Sequence, residues 1–266
     1  IFISLKNGIL HTMQNTKSVA LIRDSLLFEN SDSFLYIFLM LTLVSCIFCE
    51  SGYIGIFAVC FSVLETFRLC IKKGARTKIS LFDKAIFVYF AFVVLSLFGS
   101  SLFMLSLAGF AKTAVYMYFY FSALSYFRAN REKILPTILV IAGLVSFESI
   151  IAIIQNNSGV LAIAGWQDTS NLDPTQVISR AYGTLKPYNP NLLAGYLVLG
   201  ISSIWCLGAI NLLNKHYKRF LGFLILLLIA TVAIIYSGSR GGYLGIAAFY
   251  GIFAIGIIYF IQNYLG

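Results

Sequence analysis

The sequence predicts an all-α, polytopic transmembrane helical bundle of about eight spans, with its N-terminus in the cytoplasm. Three observations predict it. Of 266 residues, 59% are hydrophobic and only 11% charged, against about 25% charged in an ordinary soluble domain. Uncharged apolar runs of roughly 17–25 residues, the length that crosses a bilayer, recur along the chain. The 19 Lys and Arg residues outnumber the 10 Asp and Glu residues, and the surplus collects on one side of those runs, as membrane topology requires. This composition excludes a disordered chain, a disulfide scaffold and an ordinary cytosolic enzyme. The net charge of +9 is accounted for by topology and calls for no nucleic acid.

The spans follow in order. Ser33–Cys49 and Gly52–Leu69 are separated only by Glu50 and Ser51, which predicts a helical hairpin. The uncharged run Ala85–Ala111 holds 27 residues and is too long for one straight span. Its break is placed at Gly99-Ser100-Ser101, giving Leu81–Gly99 and Leu102–Phe127. Ile134–Gln155, Pro190–Leu213, Phe220–Tyr236 and Tyr243–Gln262 complete the set. With the N-terminus inside, 15 of the 19 basic residues fall on the inner side. Arg180, Lys186 and Arg240 fall outside, and Lys112 lies within a span. The domain organisation is a cytoplasmic segment, 1–32, then a membrane domain, 33–266, with a long outer loop over 156–189. The first residue is Ile1, and the opening segment lacks the apolar stretch of a signal peptide, so the chain is expected to begin inside a longer product. Cys46, Cys49, Cys60, Cys70 and Cys206 lie within or at the ends of apolar runs and read as small apolar residues. No internal repeat is evident, so an inverted-repeat transporter is not indicated.

Chemistry is expected at the outer face. In the loop, Trp166, Asp168, Asp173 and Pro174 precede Arg180-Ala181-Tyr182-Gly183-Thr184, which leads into Asn189-Pro190-Asn191. Asn189 suits an N-cap and Pro190 the first helical position. The second segment is Ser237-Gly238-Ser239-Arg240-Gly241-Gly242, with the eighth helix expected just after it. A helix start carries partial positive charge, and a forked guanidinium beside it makes an anion site. Two such sites brought together would suit a diphosphate; singly, each arginine would anchor a helix end at lipid headgroups. Lys112 is the third basic candidate. Counted from Leu102 at about 1.5 Å per residue it lies roughly 15 Å deep, near the bilayer midplane, where a charge costs on the order of 3 kcal/mol. Tyr116 and Tyr120 follow on the same helical face, so this stripe is expected to face the bundle interior. There Lys112 would hold a phosphate, or pair with Glu148 or Glu65, or snorkel. Glu148, within the fifth span, is either a proton carrier or a paired or protonated structural acid. His11 and His216 fall on the inner side, out of reach of an outer site. No phosphate-binding P-loop, metal triad or serine-nucleophile motif is present, so no metal or cofactor is expected.

These residues carry a resemblance. The run Arg180–Tyr196, then a span, a basic loop, Ser239-Arg240-Gly241-Gly242 and another span, resembles the O-antigen ligase and polymerase family of bacterial membrane proteins. Within it, the Asn189–Leu197 helix start and the loop with Trp166 and Asp168 look most like a cyanobacterial branch described as bicarbonate transporters. The resemblance implies a metal-independent membrane glycosyltransferase of the bacterial inner membrane. It would move a glycan from an undecaprenyl-diphosphate donor to a glycan or lipid acceptor, as in lipopolysaccharide synthesis. Arg180 and Arg240 match the arginines that hold the donor diphosphate, with Asn189, Asn191, Ser239 and Gly241 supporting them and Lys112 a looser match. The family's catalytic histidine belongs to a later outer loop. The chain ends at Gly266 before that region, so the catalytic residue stays unassigned and donor binding without turnover is expected. The alternative is a bicarbonate or other anion transporter, for which only Lys112 and Glu148 offer polar groups deep in the helices.

Overall fold

A computed structural model describes residues 30–71, 80–159 and 180–264. Most of the predicted cytoplasmic segment, and Trp166, Asp168, Asp173 and Pro174 of the outer loop, lie outside the described residues. Among those described, the chain is all-α. Its helices are α1 (Ser31–Phe48), α2 (Ser51–Ile71), α3 (Leu81–Phe98), α4 (Phe103–Ala129), α5 (Ile134–Asn157), α6 (Pro190–Leu213), α7 (Tyr217–Tyr236) and α8 (Arg240–Tyr264), with a single 3₁₀ turn, Arg131–Lys133, before α5. Six of them are long and apolar enough to cross a membrane, so the chain is built as a multi-pass membrane protein. The 27 residues of α4 are ample, at about 40 Å, but its serines, tyrosines and Lys112 dilute its apolarity. α8 runs for 25 residues and is apolar over Arg240–Ile255, the continuous part of it whose side chains are described.

Local chemistry sets the boundaries. Ser80 caps α3 in a reciprocal box: its hydroxyl accepts from the Asp83 amide at 3.1 Å and its own amide donates to Asp83 at 2.7 Å. The break between α3 and α4 falls where the overlong apolar run predicts it. There the Ser100 hydroxyl meets that of Ser106 at 2.6 Å and accepts from the Leu102 amide at 3.2 Å. Two starts lie three residues earlier than predicted. α7 begins at Tyr217, not Phe220, and α8 at Arg240, not Tyr243. In both, the first turn carries charge or glycine, which conceals it from a search for apolar residues.

The chain divides into two compact units. The first holds residues up to 43 together with 51–131. Here α2 and α3 each pack on α4, and Leu35 and Leu39 of α1, Phe61 of α2 and Tyr126 of α4 form a buried cluster. Phe61 meets Tyr126 edge-on with ring centroids 5.8 Å apart. At one end of this unit Arg68 is 2% exposed and Glu65 is fully buried. The guanidinium forks onto Glu65 at 2.7 and 2.9 Å and reaches Asp32 at 2.7 Å. Asp83, also buried, receives Tyr120 at 3.2 Å and Arg128 at 3.3 Å.

The second unit holds 44–50 and 132–266, of which α5, α6, α7 and α8 are described. Its core is Val145, Leu193, Leu197, Ile201, Ile204, Ala230, Ala233 and Ile234, all fully buried. Without a hydrophobic drive between helices in lipid, small residues permit the close packing that holds them. A Cβ on Gly200 of α6 would collide with Val145 of α5, and one on Gly245 of α8 would sit 2.7 Å from Val198 of α6.

Candidate anion-binding site

The site is assembled where α5 and α7 end and α6 and α8 begin. This is the end of the second unit opposite the exposed basic turn Lys215–Arg219. Asn189 caps α6, its side chain accepting from the Asn191 amide at 2.8 Å, and Pro190 takes the first helical position as predicted. At the end of α7 the chain turns through Gly238 at φ +61. A side chain at this glycine would need a left-handed backbone, and its Cβ would lie 3.0 Å from Nε of Arg180. Ser239, buried, then caps α8: its hydroxyl accepts from the Gly242 amide at 3.3 Å and its carbonyl from Tyr243 at 3.0 Å. Arg240 is thus the first residue of α8. The glycines after it are helical, which corrects the expectation that the helix starts only beyond Gly242. No described residue accepts from the Arg240 and Gly241 amides, which are two of the orphan donors of a helix start.

Arg180 comes from the segment that enters α6. Its Nε donates to the Ser237 carbonyl at 2.8 Å and its Nη2 to Asn191 Oδ1 at 3.0 Å. Arg240 is exposed, and its guanidinium engages no acid among the described residues. Both arginines line one cavity of about 990 Å³, together with Asn156, Asn191, Ser239 and Gly241. That volume sits near the top of the range of roughly 300–1,000 Å³ usual for ligand sites. No carboxylate is among the described lining residues, so the wall is cationic, and the rest of it is apolar or aromatic, with Val198, Ile235 and Tyr243.

No family model, curated protein or solved structure matches this chain. The site's chemistry is therefore argued from its own residues. Of those singled out in the sequence, Arg180, Arg240, Asn191, Ser239 and Gly241 meet at this cavity. Asn189 caps the neighbouring helix instead of lining it. Lys112 belongs to the first unit, on α4. Both it and Tyr116 are exposed, while Tyr120, last of the stripe, is half-buried. Its expected acidic partners are taken: Glu65 by Arg68, and Glu148 by Thr184. Tyr120 turns to Asp83. A periodic stripe fixes a helical face but not what that face meets.

Sequence reasoning missed Gln155 and Asn156, two of the three polar residues that close α5. Asn156 lines the cavity. Gln155 accepts from the Tyr182 and Gly183 amides at 3.2 and 2.8 Å and donates to the Gly183 carbonyl at 3.0 Å. Glu148, fully buried, accepts from the Thr184 amide at 3.0 Å and from its hydroxyl. It is therefore a structural acceptor here. The usable signal was its spacing from Gln155, two helical turns on one face.

Proposed function

We propose that this cavity binds the diphosphate of a polyprenyl-linked glycan. On this reading the chain carries the donor-binding part of an O-antigen ligase-like glycosyltransferase, working at the outer face of a bacterial inner membrane. One observation carries the reading: guanidinium groups 60 positions apart in sequence (240 − 180) line a single cavity free of described acids. Two cations beside open helix-start amides suit a doubly charged anion better than a monoanion. During glycosyl transfer the same groups would stabilise negative charge growing on the departing diphosphate. The base that activates an acceptor is assigned to no described residue. His216 sits at the turn between α6 and α7, at the far end of both helices.

Arg240 gives the cleaner test, because Arg180 also ties Ser237 and Asn191 together. Arg240→Ala should weaken binding of farnesyl diphosphate to the purified protein in detergent by about tenfold or more, with the melting temperature unchanged. Calorimetric titration reads this directly. Equal affinity in variant and parent would remove the site. Bicarbonate binding that depends on Arg240, with farnesyl diphosphate inert, would move the assignment to anion transport.

A further inference from the structure

We propose that Gln155 and Glu148 are positioning residues that fix Arg180 against the cavity by holding the backbone that follows it. The inference rests on the diphosphate reading for its binding arm. Four consecutive amides after Arg180 are all satisfied from outside their own segment. Ala181 donates to the Tyr236 carbonyl at 3.0 Å, Tyr182 and Gly183 to Gln155 at 3.2 and 2.8 Å, and Thr184 to Glu148 at 3.0 Å. The segment is neither helix nor strand, and Ala181, Gly183 and Leu185 are buried. Without those acceptors its donors would be orphaned away from water.

The geometry is specific to α5. Glu148 and Gln155 lie seven residues apart and so project from one face of that helix. Gly183 has φ +68 and no Cβ, which lets the Glu148 carboxylate come against the backbone; a Cβ there would overlap Glu148 Oε2. The Thr184 hydroxyl lies against both Glu148 and the Ile47 carbonyl, the latter at 3.2 Å. Arg180 is thus held at two levels. The backbone after it is tied to α7 at Ala181 and to α5 over 182–184, and its guanidinium is aimed by Ser237 and Asn191. Neither Gln155 nor Glu148 lines the cavity, so their effect on a ligand passes through Arg180. Small misplacements of a binding group cost much of its contribution.

The test is a double-mutant cycle read by farnesyl diphosphate affinity, with amide hydrogen exchange over 181–184 as a second measurement. Gln155→Met should weaken binding about tenfold, the equivalent of one or two hydrogen bonds. It should add nothing once Arg180 is alanine, and should keep its full effect in Arg240→Ala. Exchange over 181–184 should rise by about tenfold or more while the cores of α6 and α7 stay protected. The same loss on top of Arg180→Ala would mark a general structural defect and overturn the proposal, as would unchanged affinity with unchanged exchange. If Gln155→Met does not fold, Thr184→Val enters the same cycle with an expected loss of about threefold. If Arg180→Ala itself binds normally, the diphosphate reading fails and exchange alone decides. Acceleration confined to 181–184 then upholds the clamp, and no acceleration ends it.

Discussion

Arg68→Met should destabilise the protein by about 3–5 kcal/mol, the usual cost of leaving a buried charge without its partner. Glu65 is fully buried, and both its oxygens are held by Arg68, at 2.7 and 2.9 Å. Water has no ready access to replace the guanidinium, so the carboxylate must be neutralised or the helices must part. Asp32 loses less, because its side chain is 45% exposed and can be hydrated. The combined variant Glu65→Leu, Arg68→Met removes both buried charges and should recover most of the loss. Chemical unfolding in micelles, followed by tryptophan-independent circular dichroism, separates the two. A single variant as stable as the parent, or a double variant no better than the single, would contradict the account.

Gly183→Ala should be the most disruptive change near the cavity. Alanine at φ +68 is strained by about 1 kcal/mol or more. Its methyl would overlap the Glu148 carboxylate and lie 2.9 Å from Leu193 Cδ1, and both neighbours are fully buried. Overpacking of this kind adds about 1–3 kcal/mol. Gly143→Ala on α5 is the matched control: nothing lies within 4 Å of its added methyl, and in a helix it should gain about 0.5–1 kcal/mol. Thermal unfolding of the pair should therefore move in opposite directions. A neutral Gly183→Ala would mean that Glu148 does not pack on that backbone.

Much of the fold was legible because each span is announced by local chemistry. The break near Ser100 followed from a run too long for one helix, and the start of α6 from Asn189 and Pro190. The start of α8 was misread because glycines at 241 and 242 suggested a turn, while the deciding signal was the Ser239 hydroxyl, which caps the Gly242 amide three residues on. At the site, Arg180 and Arg240 were legible singly as cations beside helix starts. Their meeting was not, since it depends on contacts distant in sequence, such as Gly242 of α8 against Ala194 of α6, where an added Cβ would lie 2.9 Å away. The surroundings of Lys112 were not legible either: α4 presents polar groups on several faces, and only packing decides which one is covered. Gln155 was passed over because an uncharged amide at a helix end looks like solvent-facing trim until a backbone segment is laid across it.

The open amides at the first turn of α8, with the Arg240 guanidinium beside them, have a practical consequence for sample handling. On the proposed reading such a corner would capture oxyanions from buffer. Protein prepared in phosphate or sulfate should therefore enter a titration with competitor already seated, and exchange into a chloride-based amine buffer should sharpen every apparent affinity measured there.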